Sequence, residues 1–223
     1  MNKQIKLIGF DLDGTLVNSL PDLALSVNLA FQEAGLPQAS EAEVMTWIGK
    51  GVDVLFNNAL AWTGQAKNFS ANDIANIKQR FHYFYGQNLC TASRLYPNVK
   101  ETLQTLFDKG YTLAVVTNKP TKHVKPVLTS FGIADFFAET LGGQSLPAIK
   151  PHPAPLYYLC GKFACYPSEM LFVGDSKNDI LAAKAIGCQS VGLTYGYNYN
   201  IPIAESEPDY CFDDIADILN IVE

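Results

Sequence analysis

The sequence predicts an α/β protein, a doubly wound parallel sheet interrupted by a helical insertion. Three observations carry this reading. Short, nearly continuous apolar runs recur at 6–10, 112–117, 170–174 and 190–193, as strands covered by helices on both faces require. Amphipathic segments of helical period lie between them. The stretch from about 20 to 90 holds only helical patterns and no run that reads as a strand.

Taken in order, Lys6-Leu7-Ile8-Gly9-Phe10 forms the first strand, and Asp11 closes it. Pro21 then starts a helix with Leu23, Val27, Ala30, Phe31 and Ala34 on one face, stopped by Gly35. Ser40 with Glu43, and Ser70 with Asp73, are spaced as capping boxes and mark two further helix starts. Pro97 opens a helix that carries Val99, Leu103, Leu106 and Phe107 on one face and ends at Gly110. The strand Thr112–Thr117 follows, then Met170–Gly174, a helix from about Lys177 to Ile186 stopped by Gly187, and the strand Ser190–Leu193. Ile215, Ile218, Leu219 and Val222, at i, i+3, i+4, i+7 spacing, mark a last amphipathic helix. The expected division is an α/β core of 1–17 and 92–223 and a small α-helical domain of 18–91.

Composition narrows the function classes. With 48% apolar residues in 223, the chain can offset its ordering entropy and fill one sizeable core and a smaller second one. A formal net charge of −6 argues against a nucleic-acid footprint, which needs clustered lysine and arginine. The first apolar run breaks at Asp11, too short for a signal-peptide core, and no run approaches the roughly 18 apolar residues of a membrane span. Five cysteines, an odd number without a C-x-x-C pair, read as free thiols and a reducing, cytoplasmic setting.

The chemistry-bearing residues gather at strand ends. Asp11-Leu12-Asp13-Gly14-Thr15 sits at the carboxyl end of the first strand, the edge where open α/β sheets bind ligands. By itself such a segment is also an ordinary turn in which Asp caps backbone N–H groups. A second acidic cluster, Gly174-Asp175-Ser176-Lys177-Asn178-Asp179, occupies the matching place after another strand. Two such ends suit a hard cation with oxygen ligands, Mg²⁺ rather than Ca²⁺, since no EF-hand loop is present. Thr117-Asn118-Lys119 ends the strand 112–117, and Lys150-Pro151-His152-Pro153 adds a cation on a stiff backbone. Singly these are common surface residues; together, in this order, they form a pattern.

Through Asp11-x-Asp13-x-Thr15, Thr117, Lys150 and Gly174-Asp175-x-x-x-Asp179, the chain resembles the haloacid dehalogenase-like superfamily of phosphatases over nearly its whole length. That resemblance implies a Rossmann-like core, with the helical insertion as the family's small cap. It also implies roles. Asp11 would be the nucleophile, and Asp13 the general acid and then general base. Asp11, Asp175 and the backbone carbonyl of Asp13 would hold Mg²⁺. Thr117 and the backbone amide near Asn118 would bind the transferring phosphoryl, Lys150 would neutralise charge, and Asp179 would orient Lys150 or a water.

Within the superfamily, Asn18-Ser19-Leu20-Pro21-Asp22-Leu23, Ile48-Gly49-Lys50-Gly51 and Gly192–Asn198 are similar to the phosphoglycolate phosphatase branch. This implies a small phosphorylated acid as substrate, with no nucleic-acid or membrane partner. Lys50 is then a candidate to meet the substrate carboxylate through a charge-assisted contact. Asn18 stands where relatives commonly carry Asp. Asp13 sets dehalogenases and phosphonoacetaldehyde hydrolases aside. Sugar phosphomutases carry an arginine after the cap-loop glycine, where Val52 and Asp53 follow Gly51 here. A phosphatase of another small metabolite, or of broad specificity, stays open. A phospho-accepting receiver-like signalling domain would need neither the insertion nor Asp13. Monomer and homodimer are not separated by the sequence.

Overall fold

The computed structural model describes residues 4–222. The chain runs β1 (Leu7–Phe10), β2 (Val17–Asn18), α1 (Leu20–Glu33), α2 (Glu41–Met45), α3 (Val52–Trp62), α4 (Ala71–Gln87), β3 (Arg94–Leu95), α5 (Val99–Asp108) and β4 (Thr112–Val116). It continues through α6 (Thr121–Ser130), β5 (Phe137–Leu141), α7 (Ala154–Lys162), β6 (Met170–Gly174), α8 (Lys177–Ile186), β7 (Gln189–Leu193) and β8 (Tyr210–Phe212).

Six strands form one parallel sheet in the order β5-β4-β1-β6-β7-β8. The chain winds outward from β1 through β4 and β5, then returns to β6 on the other side of β1. That reversal places a crevice at the carboxyl ends of the central strands. Phe10 is in register with Val115 on one side and Val173 on the other. The residues that leave these three strands therefore emerge side by side.

Alternate residues of the sheet face two different cores. Ile8, Phe10, Leu113, Val115, Leu171 and Val173 pack with α5, α6 and the C-terminal turn. Leu7, Ala114, Val116, Met170 and Phe172 pack with α7 and α8. Burial on both faces is why these strands read as unbroken apolar runs.

The edge strands β5 and β8 escaped the sequence reading because they are partly exposed and carry mixed patterns. Helix α7 follows Pro151 and Pro153 and carries Pro155 in its first turn, which hides its periodicity. The last apolar pattern forms a 3-10 turn, Ile215–Asn220, rather than an α-helix, and still buries Ile215 and Ile218. The i, i+3 spacing of that pair is the 3-10 repeat as much as the α repeat.

The helices α1–α4 enclose a cluster of their own, built on Leu23, Val27, Phe31, Phe56, Phe81 and Tyr85. Phe56 stacks on Phe81 at 5.8 Å, and Phe81 on Tyr85 at 6.1 Å. Both expected capping boxes form, Ser40 with Glu43 and Ser70 with Asp73. No described helix is long and apolar enough to cross a membrane.

The two chain segments joining this helical layer to the sheet pair with each other, Val17 with Leu95 and Asn18 with Arg94. Beside them the buried Asp22 carboxylate accepts hydrogen bonds from Ala92 N (2.8 Å), Ser93 N (2.8 Å) and Ser93 Oγ (2.6 Å). Asp22→Ala leaves the buried Ser93 donors without an acceptor, so unfolding free energy should fall by about 2–4 kcal/mol in urea denaturation. Asp22→Asn keeps one acceptor oxygen and should lose less.

Candidate active site

Asp11 leaves β1 at the switch point, held by its N–H to the Val173 carbonyl at 2.9 Å. The chain then folds back on itself: Gly14 N donates to Val17 O, and Leu16 N to Leu12 O, each at 2.9 Å. Gly14 has φ +93°, and a Cβ there would lie 2.3 Å from Asp175 Oδ2. A side chain at that position would thus displace the carboxylate that closes the turn.

Asp175 leaves β6 and is encased on all sides. Thr15 Oγ1 donates to its Oδ1 and Tyr197 N to its Oδ2, both at 2.8 Å. Gly196 packs so closely that a Cβ would meet Asp175 Cβ at 2.1 Å. Asp179, in the first turn of α8, divides its two oxygens. Oδ2 accepts from Ser176 N (3.0 Å) and Oγ (2.6 Å), while Oδ1 lies 2.6 Å from Lys150 Nζ. The same ammonium is 2.8 Å from Asp11 Oδ1, with its side chain 2% exposed.

Oxygens of Asp11, Asp175 and Asp179 all lie within 4.8 Å of one another. Burial pushes the Asp11 carboxyl up to about 6, with Lys150 opposing and Asp179 reinforcing. Burial, together with Asp11 and Asp179, also drives Asp175 well above the usual carboxylate range. Three buried carboxylates beside one lysine are short of positive charge. Oxygen donors of this kind suit a small hard cation.

Asp13 faces the same cleft with a different partner. Its Oδ1 is 2.8 Å from Lys119 Nζ, and that lysine side chain is fully buried. Thr117 leaves β4 with its N–H on the Leu141 carbonyl at 2.9 Å, and lines the cleft with Asp11, Asp13 and Lys119. Leu23, Ile48, Val52 and Leu55 line the same cleft.

The sequence model for haloacid dehalogenase-like hydrolases matches residues 8–193. The chain belongs to that family. It is 70% identical to the phosphoglycolate phosphatase of Pasteurella multocida strain Pm70, over 99% of both chains. It is 66% identical to that of Haemophilus influenzae strain KW20, over the full length of both. A crystal structure from Haemophilus somnus 129pt, described as a predicted phosphoglycolate phosphatase, matches with a TM-score of 0.96 at 64% identity, covering 99% of each chain.

In this haloacid dehalogenase-like hydrolase, the structure gathers Asp11, Asp13, Thr117, Lys150, Asp175 and Asp179 at one sheet edge. Asn118 adjoins them, but its carboxamide is a strut. Nδ2 donates to Lys150 O (2.8 Å) and Gly49 O (2.9 Å), and Oδ1 accepts from Lys150 N (3.0 Å). It therefore ties the lysine loop to the helical layer.

Lys50 does not join the cleft. It is exposed, its Nζ lies 5.8 Å from the Tyr199 ring centroid, and it lines an open groove with His152 and Lys177. The flanking Gly49 (φ +118°) and Gly51 (φ +87°) turn it outward. The Gly49–Gly51 turn shows its backbone to the site instead: Gly49 O accepts from Asn118 and Asn178.

Lys119, Tyr85, Thr15 and Tyr197 took no functional part in the sequence reading. Lys119 had one usable signal, its place two residues beyond Thr117 at a strand's carboxyl end. Tyr197 sends its ring into the core of the helical layer. Its hydroxyl accepts from Ser19 N (2.9 Å) and Leu20 N (3.0 Å) and donates to Asn18 Oδ1 (3.0 Å). It thereby satisfies N–H groups at the start of α1, where Ser19 supplies no side-chain cap.

His123 lies under this region, edge-on to Tyr85 with ring centroids 5.1 Å apart. Burial, with Lys122 and Lys119 close by, pushes its imidazole down to about 4 from 6.5. The unfolded chain then binds the proton more readily than the folded one. His123 contributes stability that is complete above pH 6.5 and lost as pH falls toward about 4. Unfolding free energies at pH 7 and pH 5 should differ less in His123→Phe than in wild type.

Proposed function

We propose that this chain hydrolyses 2-phosphoglycolate to glycolate and phosphate through an aspartyl-phosphate on Asp11. The observation that carries the reading is the division of labour within one turn. Asp11 is buried against Lys150 and the acidic cluster, whereas Asp13 is held outside that cluster by Lys119. Hydrolysis in two displacements needs such separate groups, one to attack and one to move protons. Identity of 66–70% to phosphoglycolate phosphatases over essentially the whole chain supports the same substrate.

In the first displacement a carboxylate oxygen of Asp11 attacks phosphorus, and the bond from phosphorus to the glycolate oxygen breaks. Asp13 gives its proton to that leaving oxygen. In the second, Asp13 takes a proton from a water that attacks phosphorus, and the Asp11 carboxylate is restored. Lys150, Thr117 and the backbone amide near Asn118 hold the phosphoryl oxygens, and phosphoryl transfer asks chiefly for such positioning and charge compensation. Asp11, Asp175 and the Asp13 carbonyl would hold Mg²⁺, which when bound supplies positive charge to the transferring group. Residues 18–91 serve as the cap, with the paired segments β2 and β3 as its attachment. Leu23, Ile48, Val52 and Leu55 exclude water from the reacting centre.

The test is phosphate release with Mg²⁺ from 2-phosphoglycolate and a panel of small phosphomonoesters, repeated after chelation. Strong preference for 2-phosphoglycolate, lost with the metal, is expected. Equal rates across the panel would make this a broad-specificity phosphatase. No release from any ester would reject the mechanism.

A further inference from the structure

With Lys50 outside the cleft, the substrate's carboxylate lacks the receptor that the sequence suggested. Any other receptor follows from 2-phosphoglycolate being the substrate. One methylene separates its leaving oxygen from the carboxyl carbon, so ordinary bond lengths put a carboxylate oxygen about 3 Å from the leaving oxygen. Asp13 must reach that leaving oxygen within a hydrogen bond. The receptor must therefore be a donor directly beside Asp13.

Lys119 meets this requirement. It is the one lysine among the described residues lining the cleft shared by Asp11 and Asp13, and its Nζ is 2.8 Å from Asp13 Oδ1. An ammonium has three donors, so a single carboxylate does not exhaust it. Lys150, by contrast, is already held between Asp11 and Asp179.

Tyr85 supplies a second donor. Its side chain lines the same cleft, its ring centroid lies 5.1 Å from Lys119 Nζ, and the residue is 1% exposed. The hydroxyl is buried against the ammonium, which can donate to it but cannot accept its proton. Such a group is costly unless something else accepts from it. Besides Gly49 and Gly51, the helical layer adds Leu23, Ile48, Val52 and Leu55 to the lining, whose side chains are apolar.

We propose that Lys119 Nζ and the Tyr85 hydroxyl bind the carboxylate of the substrate, and that this contact draws Lys119 off Asp13. Asp13 is then free to act on the leaving oxygen. A phosphomonoester without a carboxylate leaves Lys119 paired with Asp13, so discrimination enters kcat as well as KM. The carboxylate thus selects the substrate and readies the proton donor in one step.

The experiment compares 2-phosphoglycolate with ethyl phosphate, which has a methyl in place of the carboxylate, in wild type, Lys119→Met and Tyr85→Phe. The quantity read is the ratio of kcat/KM for the two esters. It should fall about 100-fold in Lys119→Met and about 10-fold in Tyr85→Phe, as expected for losing a charge-assisted and a single hydroxyl contact. Inhibition by the product glycolate should weaken in parallel. An unchanged ratio in Lys119→Met, with both esters slowed alike, would mean that Lys119 serves Asp13 alone and would overturn the proposal. Should Lys119→Met fail to fold, an unchanged ratio and glycolate affinity in Tyr85→Phe would overturn it. A wild type with no preference for 2-phosphoglycolate would instead reject the substrate reading itself.

Discussion

Asp11→Asn is expected to lower phosphate release by at least about 10⁴-fold, the scale seen when a nucleophile that acts as part of a unit is removed. An amide does not attack phosphorus, and no other carboxylate takes its place. Asp13 is paired with Lys119, Asp175 is enclosed by Thr15, Tyr197 N and two glycines, and half of Asp179 caps α8. The substitution should not cost the fold. Burial raises the Asp11 carboxyl to about 6, so its ionised form at pH 7 opposes folding, and a neutral isostere relieves that opposition. Lys150 retains Asp179 as partner at 2.6 Å. A melting temperature equal to or above wild type, with turnover lost, is the expected pair of results. A folded Asp11→Asn protein that still releases phosphate would remove Asp11 from the chemistry.

Lys150→Met should damage both properties. The ammonium is the shared counter-charge of Asp11 and Asp179, which then remain buried with no cation between them. Removing one partner of a buried ionic group typically costs about 3–5 kcal/mol. Loss of the charge proposed to face the transferring phosphoryl should lower kcat by about 10²–10³-fold. The stability deficit should depend on pH. Without Lys150, which now lowers the Asp11 value, the folded-state carboxyl titrates higher still above its unfolded 3.8. The folded protein then holds its proton more tightly, so stability falls as pH rises through the folded value. Chemical denaturation should show a larger deficit at pH 7 than at pH 5. Equal deficits at both would mean that the bulk of the lysine side chain matters more than its charge.

The sequence by itself determined the central strands, the helical insertion and the identity of the residues at the strand ends. These are local properties. An apolar run such as Leu7–Phe10 reports burial on both faces, and an Asp directly after it marks the sheet's binding edge. Capping boxes at Ser40 and Ser70 are written in four consecutive residues each, and both form. The exposed edge strands and the helix entered through three closely spaced prolines lacked such a local signal.

Only the tertiary structure decided who meets whom at the site. Thr15 holds Asp175 across 160 residues, Tyr197 holds the start of α1 across 178, and Lys119 pairs with Asp13 across 106. No periodicity records such pairs, because they arise from the strand order and the return of the chain. The same holds for the direction of a side chain. Lys50 and Lys119 are equally basic in the sequence, yet two positive-φ glycines turn one out of the cleft, while a buried carboxylate holds the other inside it. Charge was legible from composition; its placement depended on backbone conformation and on contacts between residues far apart in the chain.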